Sequence, residues 1–160
     1  MFVLIMGVAG SGKTTIGRRL AAELGWQFYD ADDFHPPANV AKMASGMPLD
    51  DADRLPWLET LQTLVRASLE RGESGVLACS ALKATYRAPL LVDGRVKLAY
   101  LKGNFDLIKK RLENRRGHFM SAAMLESQFA ALEEPEQESH VDIDTTPGEI
   151  VRAIRLRFGV

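Results

Sequence analysis

The sequence predicts an α/β domain built on a mainly parallel, five-stranded sheet flanked by helices in three layers, and three observations carry that prediction. Short apolar runs rich in β-branched residues alternate with segments of helical periodicity. A glycine-rich loop joins the first run to the first helix. The 160 residues, 46% of them apolar, suit one compact domain over 1–160 with one ordinary core.

The strands are read at Phe2 to Met6, Gln27 to Asp30, Gly75 to Ser80, Val96 to Leu101 and His140 to Ile143. A helix from Lys13 to Leu24 follows the first strand, with Ile16, Leu20 and Leu24 on one face and Gly25 as its stop. A shorter helix over 36–46 should turn Val40 and Met43 inward. Pro56 opens the next helix, which places Trp57, Leu61, Leu64, Val65 and Ser68 on one side, and the acidic stretch Leu49 to Arg54 before it reads as a loop. After the fourth strand, Ile108 and Leu112 mark the buried face of another helix. The last helix opens at Thr146-Pro147-Gly148-Glu149, a capping box with proline in its first turn, and buries Ile150, Val151, Ile154 and Phe158.

Composition narrows the function. Twenty basic against 21 acidic residues leave a formal charge of −1, which provides no general field for nucleic acid or an anionic membrane. Any anion site must be local. The apolar stretch Phe2 to Met6 is too short for a secretion signal, and the single Cys79 has no partner for an internal disulfide, so a cytoplasmic, reducing location is expected.

Gly7-Val8-Ala9-Gly10-Ser11-Gly12-Lys13-Thr14 has the spacing G-x-x-x-x-G-K-[ST] between a predicted strand and a predicted helix. The glycines let successive N–H groups, with the helix N-terminus, face the β- and γ-phosphates of a nucleotide. Lys13 adds a point charge there, Thr14 offers a hydroxyl to Mg2+, and Thr15 completes the loop. The second strand ends in Asp30-Ala31-Asp32-Asp33, at the sheet edge where parallel α/β domains bind ligands. In an extended chain Asp30 and Asp32 share a face. Phosphoryl transfer needs two such groups: Asp30 is assigned to the water shell of Mg2+, and Asp32 to the acceptor hydroxyl as the group that takes its proton.

With those residues in place, the chain resembles the gluconokinase family, a branch of the shikimate kinase and nucleoside monophosphate kinase group. The resemblance runs through Asp30-Ala31-Asp32-Asp33-Phe34-His35-Pro36, the stretches 42–51 and 53–58, Cys79-Ser80-Ala81-Leu82-Lys83, Tyr86-Arg87, Leu101-Lys102-Gly103, Arg116-Gly117-His118-Phe119, Gln128-Phe129 and Leu132-Glu133-Glu134-Pro135. It implies the P-loop kinase fold with strand order 2-3-1-4-5, ATP with Mg2+ as donor system, gluconate as acceptor and 6-phosphogluconate as product. Some members of that family are dimers, and a homodimer is among the assemblies the resemblance allows. The third strand ends Ala78-Cys79-Ser80, with no carboxylate for the metal and no triple glycine of the shikimate kinase kind. Another small-metabolite or nucleotide kinase of the same fold is the alternative. A GTP-hydrolysing switch is disfavoured by the absence of an Asn-Lys-x-Asp motif.

Gluconate carries a carboxylate and a row of hydroxyls, for which His35, Arg54, Lys83 and Arg87 are the candidates. The planar fork of arginine favours Arg54 and Arg87 for the carboxylate. Arg111 and Arg115, four apart on a helix, look like the arginine pair of nucleoside monophosphate kinases, the first over the adenine and the second near the phosphates. Arg115 is therefore expected to stabilise charge on the transferring group, with a short lid at 115–121 hinged at Gly117.

Overall fold

The computed structural model describes residues 1–115 and 121–160. Its strands are β1 (Phe2–Met6), β2 (Gln27–Asp30), β3 (Gly75–Ala78), β4 (Val96–Lys102) and β5 (His140–Asp142). The helices are α1 (Lys13–Leu24), α2 (Pro37–Ala44), α3 (Asp51–Glu70), α4 (Ala84–Arg87), α5 (Phe105–Glu113), α6 (Ala122–Ala131) and α7 (Pro147–Phe158). All strand pairings are parallel and the five strands run in the order β2-β3-β1-β4-β5, as the resemblance implied. Most of the lid expected at 115–121, Gly117 included, lies outside the described residues.

β1 is central and every one of its side chains is buried, because the sheet is covered on both faces. Alternation then sorts its residues between two cores. Val3 and Ile5 pack with Ile16 and Leu20 of α1, Ile108 of α5 and Ile154 of α7. Phe2, Leu4 and Met6 pack with Trp57, Leu61 and Val65 of α3. The first turn of α1 and the exits of β1, β2 and β3 thereby share one edge.

Two expectations need correction. α3 starts at Asp51, ahead of Pro56, so the acidic stretch is largely the first turn of a helix. Its start signal is a capping box in which Asp50 accepts from the Asp53 N–H while the Asp53 carboxylate accepts from the Asp50 N–H. Aspartate replaces the usual Glu or Gln in that box, and Pro56, which lies inside the helix, imitates a first-turn proline. Val40 and Met43 are 52% and 43% exposed, and α2 instead turns the polar Asn39 inward, 4% exposed. Asn39 is buried because its amide has work to do at the site.

Candidate active site

The phosphate loop sits between β1 and α1 as its spacing requires. Gly10 (φ +80°) and Gly12 (φ +96°) occupy left-handed backbone, and a Cβ on Gly10 would come within 2.7 Å of Leu112. Gly12 is the N-cap of α1 and has no side chain to cap it, so the first N–H groups of α1 are left for an anion. The Lys13 ammonium donates to the Val8 carbonyl at 3.1 Å. Burial pulls its pKa below the ordinary lysine value, against the opposing charges of Asp32 and Asp30. One member of the predicted loop is already engaged: the Ala9 N–H donates to Oε1 of Gln128 at 2.7 Å.

Thr14 and Asp30 are brought together. The Thr14 hydroxyl donates to Asp30 Oδ2 at 3.0 Å, so the lone pairs of the threonine oxygen stay available to a cation. Among the described residues no cluster of three or more His, Cys, Asp or Glu could hold a metal by itself. That donor set fits Mg2+, which keeps several waters and is bound mainly through phosphate oxygens and one or two protein groups.

Asp32 reaches the site by a different route from the one expected. The chain leaves β2 not as an extended strand but as a 3-10 turn over Ala31–Phe34, and Asp30 caps it by accepting from the Asp32 N–H at 3.1 Å. Burial of its carboxyl, then the neighbouring Asp30 charge, raises the Asp32 pKa, while Lys13 and His35 oppose the rise. The turn is bolted to α3 by Trp57, whose Nε1–H donates to the buried Ala31 carbonyl at 2.7 Å.

The Trp57 ring also stacks on His35, with centroids 4.3 Å apart and planes 14° from parallel. Asn39 Nδ2 donates to the Asp53 carbonyl at 2.9 Å and lies 3.3 Å from His35 Nδ1. A carbonyl can only accept, so the nitrogen end of the amide is fixed, and His35 Nδ1 must accept as well. His35 is therefore the neutral tautomer carrying its proton on Nε2. Its pKa is lowered, chiefly by burial, in keeping with that state. Lys42 completes the tie between α2 and α3 through Asp53 at 2.6 Å.

The other cations separate. Arg54 and Lys83 both lie over the Tyr86 ring, at 5.3 and 5.6 Å from its centroid, and Arg54 also donates to the Tyr86 hydroxyl at 3.3 Å. That hydroxyl in turn donates to Asp51. Arg87 is 6% exposed, and both hydrogens of its Nη1 go to the carbonyls of Ala81 and Leu82, at 3.0 and 3.1 Å. Ala81, at φ +44°, is in the left-handed region and needs that support. Arg87 thus braces the loop that carries Lys83. Arg111 and Arg115 line a cleft of about 330 Å³ with Gly10, Gly12, Thr15 and Thr145, and Arg111 donates to the Ile143 carbonyl. Cys79 is a buried thiol whose pKa burial pushes up to about 12.

Sequence reasoning passed over Asn39, Tyr86, Asp51 and Gln128 as site residues. A polar residue at an inward helical position was the one available signal for Asn39. The other three fall in stretches that carry the family resemblance, but no local pattern gives their roles, because the hydrogen bonds Tyr86–Asp51 and Ala9–Gln128 span 35 and 119 residues.

The phosphate loop, the Thr14–Asp30 pair and Asp32 at one sheet edge are the parts of a kinase. The model of the family described as Shikimate kinase matches residues 9–147. A probable gluconokinase of Mus musculus is 46% identical over 95% of this chain and 94% of its own. The thermosensitive gluconokinase of Escherichia coli (strain K12) is 46% identical over 83% and 72%. The chain belongs to the gluconokinase family. Among solved structures, a gluconokinase from Sinorhizobium meliloti 1021 superposes with a TM-score of 0.86 at 36% identity, covering 98% of this chain and 90% of that one. Within the gluconokinase family the chain is a phosphotransferase, and the shikimate kinase model reports the wider fold group to which such kinases belong. Membership implies ATP as donor. No helix among the described residues is long and apolar enough to cross a membrane.

Proposed function

We propose that the protein transfers the γ-phosphoryl group of ATP to the 6-hydroxyl of gluconate, giving 6-phosphogluconate and ADP. The observation that carries the reading is the meeting of Asp32, a carboxyl group with a raised pKa, and Lys13 of the phosphate loop at one sheet edge, with Arg54, Lys83 and His35 grouped nearby. The gluconokinase relatives support the same acceptor.

In this reading the open N–H groups of α1 and Lys13 cradle the β- and γ-phosphates. Thr14 and, through water, Asp30 would hold Mg2+, which when bound supplies charge neutralisation at the phosphate oxygens. Asp32 orients the acceptor hydroxyl and takes its proton as the oxygen bonds to phosphorus; a raised pKa makes its carboxylate a better proton acceptor. His35 offers its Nε2–H to a hydroxyl. Arg54, with Lys83 beside it, receives the carboxylate, and Arg87 holds the loop rather than the ligand. Arg111 and Arg115 flank the nucleotide in the cleft, with Arg115 toward the transferring group.

The test is a steady-state comparison of gluconate with glucitol, shikimate and a nucleoside monophosphate. Gluconate should exceed each in kcat/KM by about a hundredfold or more, because the uncharged or differently shaped acceptors leave Arg54 and Asp32 unmatched. Equal or better turnover of shikimate or a nucleotide would overturn the assignment.

A further inference from the structure

One short segment touches both halves of the site. The Ala9 N–H donates to Gln128 Oε1 at 2.7 Å, and the Val8 carbonyl accepts from the Lys13 ammonium at 3.1 Å. These two groups belong to the same peptide unit, which is planar and trans, with N–H and C=O pointing in opposite directions. Gln128 on one side and Lys13 on the other therefore grip a single rigid plate. Rotating that plate away from Gln128 would carry the carbonyl oxygen away from Lys13.

Just beyond α6, Glu133 does the equivalent for the acceptor side. Its backbone N–H donates to the Leu82 carbonyl at 2.8 Å, and its Oε2 accepts from the Ala84 N–H at 2.8 Å. Leu82 and Ala84 are the two neighbours of Lys83, so Glu133 fixes the backbone on both sides of that lysine and caps α4, whose own N-cap Lys83 cannot. The segment is mounted rigidly enough for this. Leu125 is buried in the core, Phe129 meets Phe105 edge-on at 5.6 Å, and Glu134 pairs with Lys102 at the end of β4 at 2.8 Å.

We infer that Gln128 and Glu133 are positioning residues that set the two lysines of the site, Lys13 for the donor phosphates and Lys83 for the acceptor, at a fixed spacing through one strap of chain. The acceptor half rests on the gluconate reading above; the donor half does not.

The experiment measures kcat, KM for ATP, KM for gluconate and Tm in Gln128→Leu, Gln128→Glu, Glu133→Ala and Glu133→Gln. Gln128→Leu should lower kcat about tenfold to a hundredfold while moving the gluconate KM less than about threefold, since a misplaced catalytic charge acts on the transition state. Gln128→Glu keeps an oxygen for the Ala9 N–H and should recover part of that loss, with a raised ATP KM from the carboxylate beside the phosphates. Glu133→Ala should raise the gluconate KM about tenfold, more than the ATP KM, and Glu133→Gln, which retains the acceptor for Ala84, should lie close to wild type. Lower Tm with unchanged kinetics in both Gln128→Leu and Glu133→Ala would reduce the strap to a structural brace and overturn the inference. So would equal losses in Gln128→Leu and Gln128→Glu. Should the leucine variant not fold, the Gln128→Glu and Glu133→Gln pair still decides: wild-type ATP KM in the first refutes the donor half. Failure of the wild type to use gluconate would refute the acceptor assignment alone, because the ATP kinetics of the Gln128 variants are read with whichever acceptor the panel identifies.

Discussion

Replacing Asn39 by leucine, which has nearly the same volume, removes two donations without opening a large cavity. The Asp53 carbonyl and His35 Nδ1 both lose the Nδ2 donor that now serves them at 2.9 and 3.3 Å. The shorter bond is the firmer, and Asn39 is only 4% exposed, so its carbonyl partner is the one left poorly solvated. A partly buried acceptor that loses its donor costs about 1–3 kcal/mol and a longer neutral hydrogen bond about 0.5–1 kcal/mol, which together give a loss of about 1.5–4 kcal/mol. For a chain of this size that is a fall in Tm of about 3–16 °C, read by thermal unfolding. The kinetic consequence is separate. With Nδ1 released, the imidazole can carry its proton on either nitrogen, and the Nε2–H donor offered to the acceptor is no longer enforced. One neutral hydrogen bond is then at stake, so gluconate kcat/KM should fall about threefold to tenfold, mostly through KM, while the ATP KM stays within twofold. Asn39→Asp sharpens the point, because its carboxylate accepts from Nδ1–H and favours the protonated ring; the gluconate KM should become pH-dependent near neutrality. A gluconate KM unchanged in Asn39→Leu, together with the expected loss of Tm, would refute the tautomer argument.

Three further outcomes follow from the same geometry. Asp32→Asn should cut kcat by about a hundredfold to ten-thousandfold with a smaller change in acceptor KM, and a change confined to KM would make Asp32 a binding group only. Burial and then Asp30 raise the Asp32 pKa, so activity should be lost as pH falls through a value above the ordinary aspartate range; Asp30→Asn removes the second cause, and its acid limb in kcat/KM should move to lower pH, whatever its height. Arg54→Ala should shrink the preference for gluconate over glucitol by about tenfold to a hundredfold, the loss expected for one charge-assisted hydrogen bond, with Arg54→Lys restoring charge but only part of the selectivity. An unchanged ratio in that assay would move the carboxylate to Lys83.

Much of the site was legible because its chemistry is local in the chain. The phosphate loop needs glycines at fixed spacing to adopt left-handed backbone at Gly10 and Gly12, and the strand and helix that flank it are marked by their own periodicities. The same holds for the carboxylates at the end of β2, which only had to be near a strand exit to be near the phosphate loop. The start of α3 was legible in principle, through Asp50 and Asp53, but a proline after it imitated a different start.

The residues alone were enough for the α/β class, the approximate strand positions and the phosphate loop with the carboxylates beside it. Tertiary structure alone decided how the remaining polar residues are used. Arg54 and Arg87 are indistinguishable as letters, yet packing leaves one half-buried over Tyr86 and buries the other against the Ala81 and Leu82 carbonyls. Asn39 and Gln128 became part of the site only when folding brought each of them to a backbone or ring group from another element. The physical reason is that a strand, a helix or a tight turn is specified by neighbours a few residues apart, whereas a hydrogen bond between distant segments depends on where two rigid elements come to rest, and no short stretch of sequence encodes that distance.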